Sequence, residues 1–145
     1  MKTVTKTSIF PAPREVVFGK LQQLETLQYI AAPYATFTPV DANAPLVWKV
    51  GASSSYRFKM WGFIPFGIHT INIEQFDIDK VRSREGNKFV PVWNHKIYLK
   101  DLNGKTEYTD EVDIDAGWKT IFVWLWAKAF YAHRQKKWLV LLRKN

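Results

Sequence analysis

From Trp118 to Leu142 the chain runs for about seven helical turns without a Gly or Pro, and the first half of that run is apolar on every side. The stretch IFVWLWAKAFYA, residues 121–132, holds one charged residue, Lys128. A helix on the surface of a domain carries a single apolar stripe. This one needs two apolar surroundings, yet it is too short for a membrane span, which takes roughly 20 apolar residues. The rest of the chain must therefore build a broad apolar surface for one side. The other side is covered by something else or faces a partner. The second half, HRQKKWLVLLRKN, is basic, which suits the negative end of a helix dipole. All 13 acidic residues lie before residue 118, whereas seven of the 21 Lys and Arg lie after residue 117, so all but one of the eight net positive charges belong to this segment.

The preceding residues read as the required surface. Residues 3–10 alternate as a strand that Pro11 and Pro13 end. Val16, Val17, Leu21, Leu24, Leu27 and Ile30 recur at helical spacing, as one bent helix or two short ones with Gly19 as the weak point. Residues 33–45 carry three prolines and read as a loop. Strand candidates follow at 46–50, 53–61, 68–78, 80–85, 92–102 and 105–115. At 145 residues the whole chain, 1–145, is expected to be one domain. The absence of cysteine excludes disulfides, cysteine-ligated metals and a thiol nucleophile. MKTVTKTSIF shows no secretory signal, so residence in the cytoplasm is expected.

Asn103–Gly104 suits a two-residue type I′ turn, and that turn registers the last hairpin. Leu102 then faces Lys105, Lys100 faces Glu107 and Lys96 faces Glu111, with opposite charges paired on one face. The other face carries Trp93, His95, Ile97 and Leu99 beside Tyr108, Asp110, Val112 and Ile114. It is apolar except for His95 and Asp110, which lie diagonally within hydrogen-bond reach. By the same period of two, His69 shares a face with Ile71 and Ile73, and Tyr56 with Phe58 and Met60. The phase slips after Ile73, which predicts a bulge near Glu74–Gln75.

The stretches SIFPAPREVVFGKL (8–21), FIPFGIHTI (63–71), VWNHKI (92–97), YTDEVDI (108–114) and FYAHRQKKWLVLL (130–142) resemble the START-like, SRPBCC superfamily, in particular its polyketide cyclase/dehydratase-like branch. The resemblance implies an α+β helix-grip fold: a curved antiparallel sheet wrapped around a long C-terminal helix, two short helices after the first strand, and an internal cavity for an apolar or amphipathic small molecule.

On that footing the expected ligand-binding residues are Tyr56, Phe58, His69, Ile71, Trp93, His95, Tyr108 and Asp110 from the sheet, with Phe122, Trp126 and Phe130 from the helix. His95 and Asp110 are also the candidate catalytic pair, an imidazole oriented by a carboxylate, or a buried pair that only fixes the strands. Two imidazoles and a carboxylate are also ligand types of non-haem iron, but nothing in the spacing makes them converge, so no metal and no cofactor is expected. The leading expectation is a protein that sequesters or carries a small hydrophobic ligand. The alternatives are a cyclase/dehydratase-like enzyme and a membrane-peripheral lipid-handling module. The basic residues Arg134, Lys136, Lys137, Arg143 and Lys144 read as a solvated helix face that would suit an anionic membrane surface. Trp124 or Tyr131 would suit a homodimer contact. No nucleic-acid motif accompanies the charge.

Overall fold

The computed structural model describes residues 1–41, 43, 47–61 and 63–143. The chain forms β1 (Lys2–Phe10), α1 (Arg14–Leu21), α2 (Leu24–Ala31), β2 (Ala35–Pro39), β3 (Ser53–Met60), β4 (Ile64–Phe76), β5 (Lys80–Gly86), β6 (Val92–Leu102) and β7 (Lys105–Asp115). A single 3₁₀ turn, Gly117–Lys119, leads into α3 (Thr120–Arg143). One seven-stranded antiparallel sheet has the order β1-β7-β6-β5-β4-β3-β2. This is the helix-grip architecture, with α1 and α2 after the first strand and α3 closing the sheet.

The β6–β7 hairpin turns at Asn103 and Gly104, both at positive φ (52° and 89°), and it pairs Leu102 with Lys105, Lys100 with Glu107 and Lys96 with Glu111. The register of β4 against β5 shifts between Ile73 and Gln75, where the side-chain phase slips in the sequence. Such a bulge sharpens the local bend of a sheet. The second half of α3 packs against β1 and β7: Trp138 is fully buried, with its ring 5.6 Å from Phe10 and 5.7 Å from Tyr108.

Three local expectations are corrected. Residues 33–45 are not all loop, because Ala35–Pro39 pairs with β3 as an edge strand, where proline is tolerated because one side needs no ladder. Residues 46–50 are not a strand of the sheet. Val47 forms an isolated bridge with Gln23, Trp48 N–H donates to the Gln22 carbonyl at 2.8 Å, and Leu46 lies outside the described residues. That bridge is also why the helical pair breaks at Gln22–Gln23 rather than at Gly19: Gln23 is held extended (φ −91°, ψ 129°). No helix among the described residues is long and apolar enough to cross a membrane.

The apolar circumference of α3 is divided three ways. Ala127, Phe130, Tyr131, Trp138 and Leu142 are buried, Trp126 borders a pocket, and Ile121, Phe122 and Leu125 are exposed, with Phe122 also at the pocket's edge and Trp118 exposed in the turn before the helix.

Candidate functional site

Between the first half of α3 and the inner face of β3–β6 lies a pocket of about 270 Å³, closed on the far side by Leu21, Leu27 and Ala31 of the two short helices. That is just under the ~300–1,000 Å³ of sites for drug-sized ligands. Phe58, His69, Ile71, Trp93, His95, Phe122, Trp126 and Phe130 line it. Three further candidates do not. Tyr56 is fully buried beside a separate recess of about 10 Å³, Tyr108 is stacked on Phe10 at 4.7 Å, and Asp110 lies behind His95. All three are on the inner face, but alternation along a strand reports the face and not which part of it the helix covers.

The walls are mostly aromatic and aliphatic, and the polar groups gather on β4–β6 and α3. His95 Nε2 donates to Asp110 Oδ1 at 2.6 Å, and Gln135 Nε2 donates to Asp110 Oδ2 at 3.0 Å. Gln135 also reaches β1, donating to the Lys6 carbonyl at 2.8 Å and accepting from the Ser8 hydroxyl. Burial works against the Asp110 charge, but the hydrogen bond and attraction of His95, the Arg134 charge and the Gln135 hydrogen bond outweigh it and hold the carboxyl below its usual range.

Glu85 is the residue the sequence reading missed. It lies between the two imidazoles, with Oε1 2.9 Å from His69 Nε2 and Oε2 3.9 Å from His95 Nδ1, and Oε2 accepts from the Ser83 hydroxyl. Burial disfavours its charge, yet the His69 hydrogen bond, with His95 and Ser83 nearby, keeps the carboxyl below its usual range. A signal was available: in Val81-Arg82-Ser83-Arg84-Glu85 the arginines mark the outer face, so Glu85 shares the inner one.

Asn87 fixes the state of His69. Its Oδ1 accepts from the Phe89 and Val90 amides, both at 2.8 Å, so its amide nitrogen points at His69 Nδ1, 2.9 Å away, and donates to it. His69 is therefore the neutral tautomer, with its one proton on Nε2 donated to Glu85. Gly86 permits this turn, since a Cβ there would fall 2.5 Å from the Pro91 carbonyl oxygen.

Arg134 was expected on a solvated face and is instead buried, lining the pocket with its guanidinium over the Tyr131 ring at 5.1 Å. Burial opposes its charge, but attraction to Asp110 in the first place, and also to Glu85, holds it cationic. Its spacing from Phe130, Tyr131 and Trp138 placed it on the apolar stripe all along. Tyr131 is buried within its own chain, where its hydroxyl accepts from Trp93 Nε1 at 3.0 Å. Trp124 donates to the Thr3 carbonyl and lies under Lys2 and Lys128. Tyr131 is therefore not available for a dimer contact, while Trp124 stays part-exposed. Lys144 lies outside the described residues, and among those described no group of three or more His, Asp or Glu converges as a metal site.

No protein-family model and no curated protein matches the chain. Its fold is nonetheless shared with many solved structures. A protein from Arthrobacter aurescens superposes with a TM-score of 0.77 at 12% identity, over 99% of this chain and 87% of the other. A protein from Mycobacterium smegmatis gives 0.75 at 16% identity, over 97% and 90%. A START superfamily protein, also from Mycobacterium smegmatis, gives 0.73 at 12% identity, over 98% and 94%. The helix-grip fold that the sequence resemblance implied is the fold of this chain, and at these identities the likeness extends to the fold alone.

Proposed function

We propose that the protein binds a small, largely apolar molecule between α3 and the sheet, and so sequesters or carries it. The observation that supports this reading is the pocket itself: about 270 Å³ walled by Phe58, Trp93, Phe122, Trp126 and Phe130, with its polar side chains concentrated at His69, Ser83, Glu85, Asn87, His95 and Arg134. Sites for small molecules combine such walls with a few fixed polar groups. The neutral fluorophore N-phenyl-1-naphthylamine is the direct probe. It is expected to bind saturably, one molecule per chain, with enhanced emission. Met60→Trp, which places a larger ring at a half-buried position of the wall, is expected to weaken that binding at least tenfold while the circular dichroism stays native. Absent or unsaturable binding, or binding indifferent to Met60→Trp, sinks the proposal.

One observation favours a second reading, docking at an anionic membrane. Trp118 is 82% exposed and Phe122 64%, with Ile121 and Leu125 on the same two turns. Lys119 lies beside them, donating to the Phe89 carbonyl and covering its exposed ring. Aromatic and basic residues together suit the headgroup region of a membrane. The protein is then expected to sediment with anionic vesicles at low salt and not with neutral ones, and Trp118→Ser with Phe122→Ser to remove most of that binding. Equal recovery in both supernatants rules the second reading out.

A further inference from the structure

Arg134 is 9% exposed and lines the pocket, stacked over Tyr131 and Phe130. Among the described residues it makes no hydrogen bond and no ion pair, and its Nε is fully buried without an acceptor. A guanidinium carries five N–H donors and cannot accept. The indole N–H of Trp126, on the same wall, is likewise buried without an acceptor. Both groups can only donate.

Each acceptor around them already receives at least one donor. The two Glu85 oxygens receive His69 and Ser83, the two Asp110 oxygens receive His95 and Gln135, the Asn87 oxygen receives two backbone amides, and the Tyr131 hydroxyl receives Trp93. The buried polar groups left with no partner at all on this wall, Arg134 Nε and the Trp126 indole N–H, are both donors.

Charge sets the second limit. Glu85 and Asp110 contribute two negative charges, Arg134 one positive, and His95 one positive at most, because Asn87 holds His69 neutral. The cluster is neutral with His95 protonated and negative otherwise. In either state a carboxylate on the ligand adds a negative charge with nothing left to balance it in a site shielded from water.

We infer that the ligand presents a neutral carbonyl oxygen, as a ketone, ester or amide, to Arg134, with its apolar remainder against the aromatic walls. This rests on the pocket being the binding site. An alcohol, which must also place its proton, and an acid, which brings charge, are both disfavoured.

Three naphthalenes of similar shape test it by displacement of N-phenyl-1-naphthylamine from the full chain. 2-Acetylnaphthalene is expected to displace the dye at a concentration at least tenfold below that of 2-ethylnaphthalene, and also below that of 2-naphthoate. In Arg134→Met the at least tenfold advantage of the ketone over the hydrocarbon is expected to disappear. The carbonyl stretch of bound 2-acetylnaphthalene is expected at lower frequency in the native protein than in an apolar solvent, a measurement that stands if Arg134→Met does not fold. Equal displacement by ketone and hydrocarbon, an unshifted carbonyl stretch, or naphthoate as the tightest of the three overturns the inference and leaves the pocket intact as a binding site. Failure of the dye itself to bind overturns the pocket reading, and this inference with it.

Discussion

A chain cut after Gly117 is expected to lose cooperative folding altogether, with no sigmoidal transition in urea and no near-ultraviolet circular dichroism. The helix α3 removed by the cut buries Phe130, Tyr131, Trp138 and Leu142. At about 1.5–3 kcal/mol for each large side chain fully buried, those four alone match much of the ~5–15 kcal/mol by which a domain of this kind is stable. The loss is larger than that sum, because Phe10, Tyr108, Val112 and Trp93 on the sheet lose their covering at the same time. The apolar face so exposed exceeds the few hundred Å² that monomers tolerate. A truncated chain that stayed monomeric and unfolded cooperatively would contradict the role assigned to α3.

Asp110→Ala is expected to destabilise the protein by about 3–5 kcal/mol, the usual cost of removing one partner from a buried charged pair. The alanine leaves His95 Nε2–H and one donor of Gln135 without acceptors, and it takes away the charge that helps keep the buried Arg134 cationic. Urea denaturation gives the magnitude, and a loss under about 1 kcal/mol would show that the network is not structural. The acid limb carries a second signature. Because the Asp110 carboxyl is held below its usual value in the folded chain, its ionised form favours folding. That stabilisation is in full force above the ordinary aspartate value of about 3.9, and it disappears as the pH falls through the lower folded value. Asp110→Asn should therefore flatten the decline of stability below about pH 4. If the pair anchors a ligand instead of the fold, the same variant lowers dye affinity and leaves stability unchanged.

Much of this molecule is legible in its sequence where the signal is local. The Asn103–Gly104 turn determines its own geometry and thereby a ladder of eleven residue pairs, so the His95–Asp110 contact follows from two residues on one face at a known offset. The bulge after Ile73 shows as a change of phase, and α3 as a long run without breakers. What escaped depends on distant partners. The edge strand β2 owes its existence to β3, against a local sequence that ends in proline. Gln23 breaks the helical pair because Val47, far along the chain, pairs with it. Tyr56 and Tyr108 point inward with the others, but curvature and the line of α3 decide which inward side chains meet the pocket and which are sealed in the core. Arg134 and Glu85 stood at the right positions of their patterns. Charge in a sequence signals exposure, a rule that fails where buried groups neutralise one another.

The strand order has a consequence for solubility. A sheet with β1 and β2 at its margins presents two rows of unpaired backbone groups, the usual template for adding strands from another molecule. One margin is five residues long and closes on Pro39, which has no N–H to offer a newcomer. Along the other, α3 packs against the strand, and its Trp124 and Gln135 side chains tie it there by donating to the carbonyls of Thr3 and Lys6. Lys2 and Lys6 on that strand add charges that an incoming strand would have to desolvate. The helix that closes the pocket thus also guards the longer margin, so loosening α3 would promote fibrillar self-association as well as unfolding.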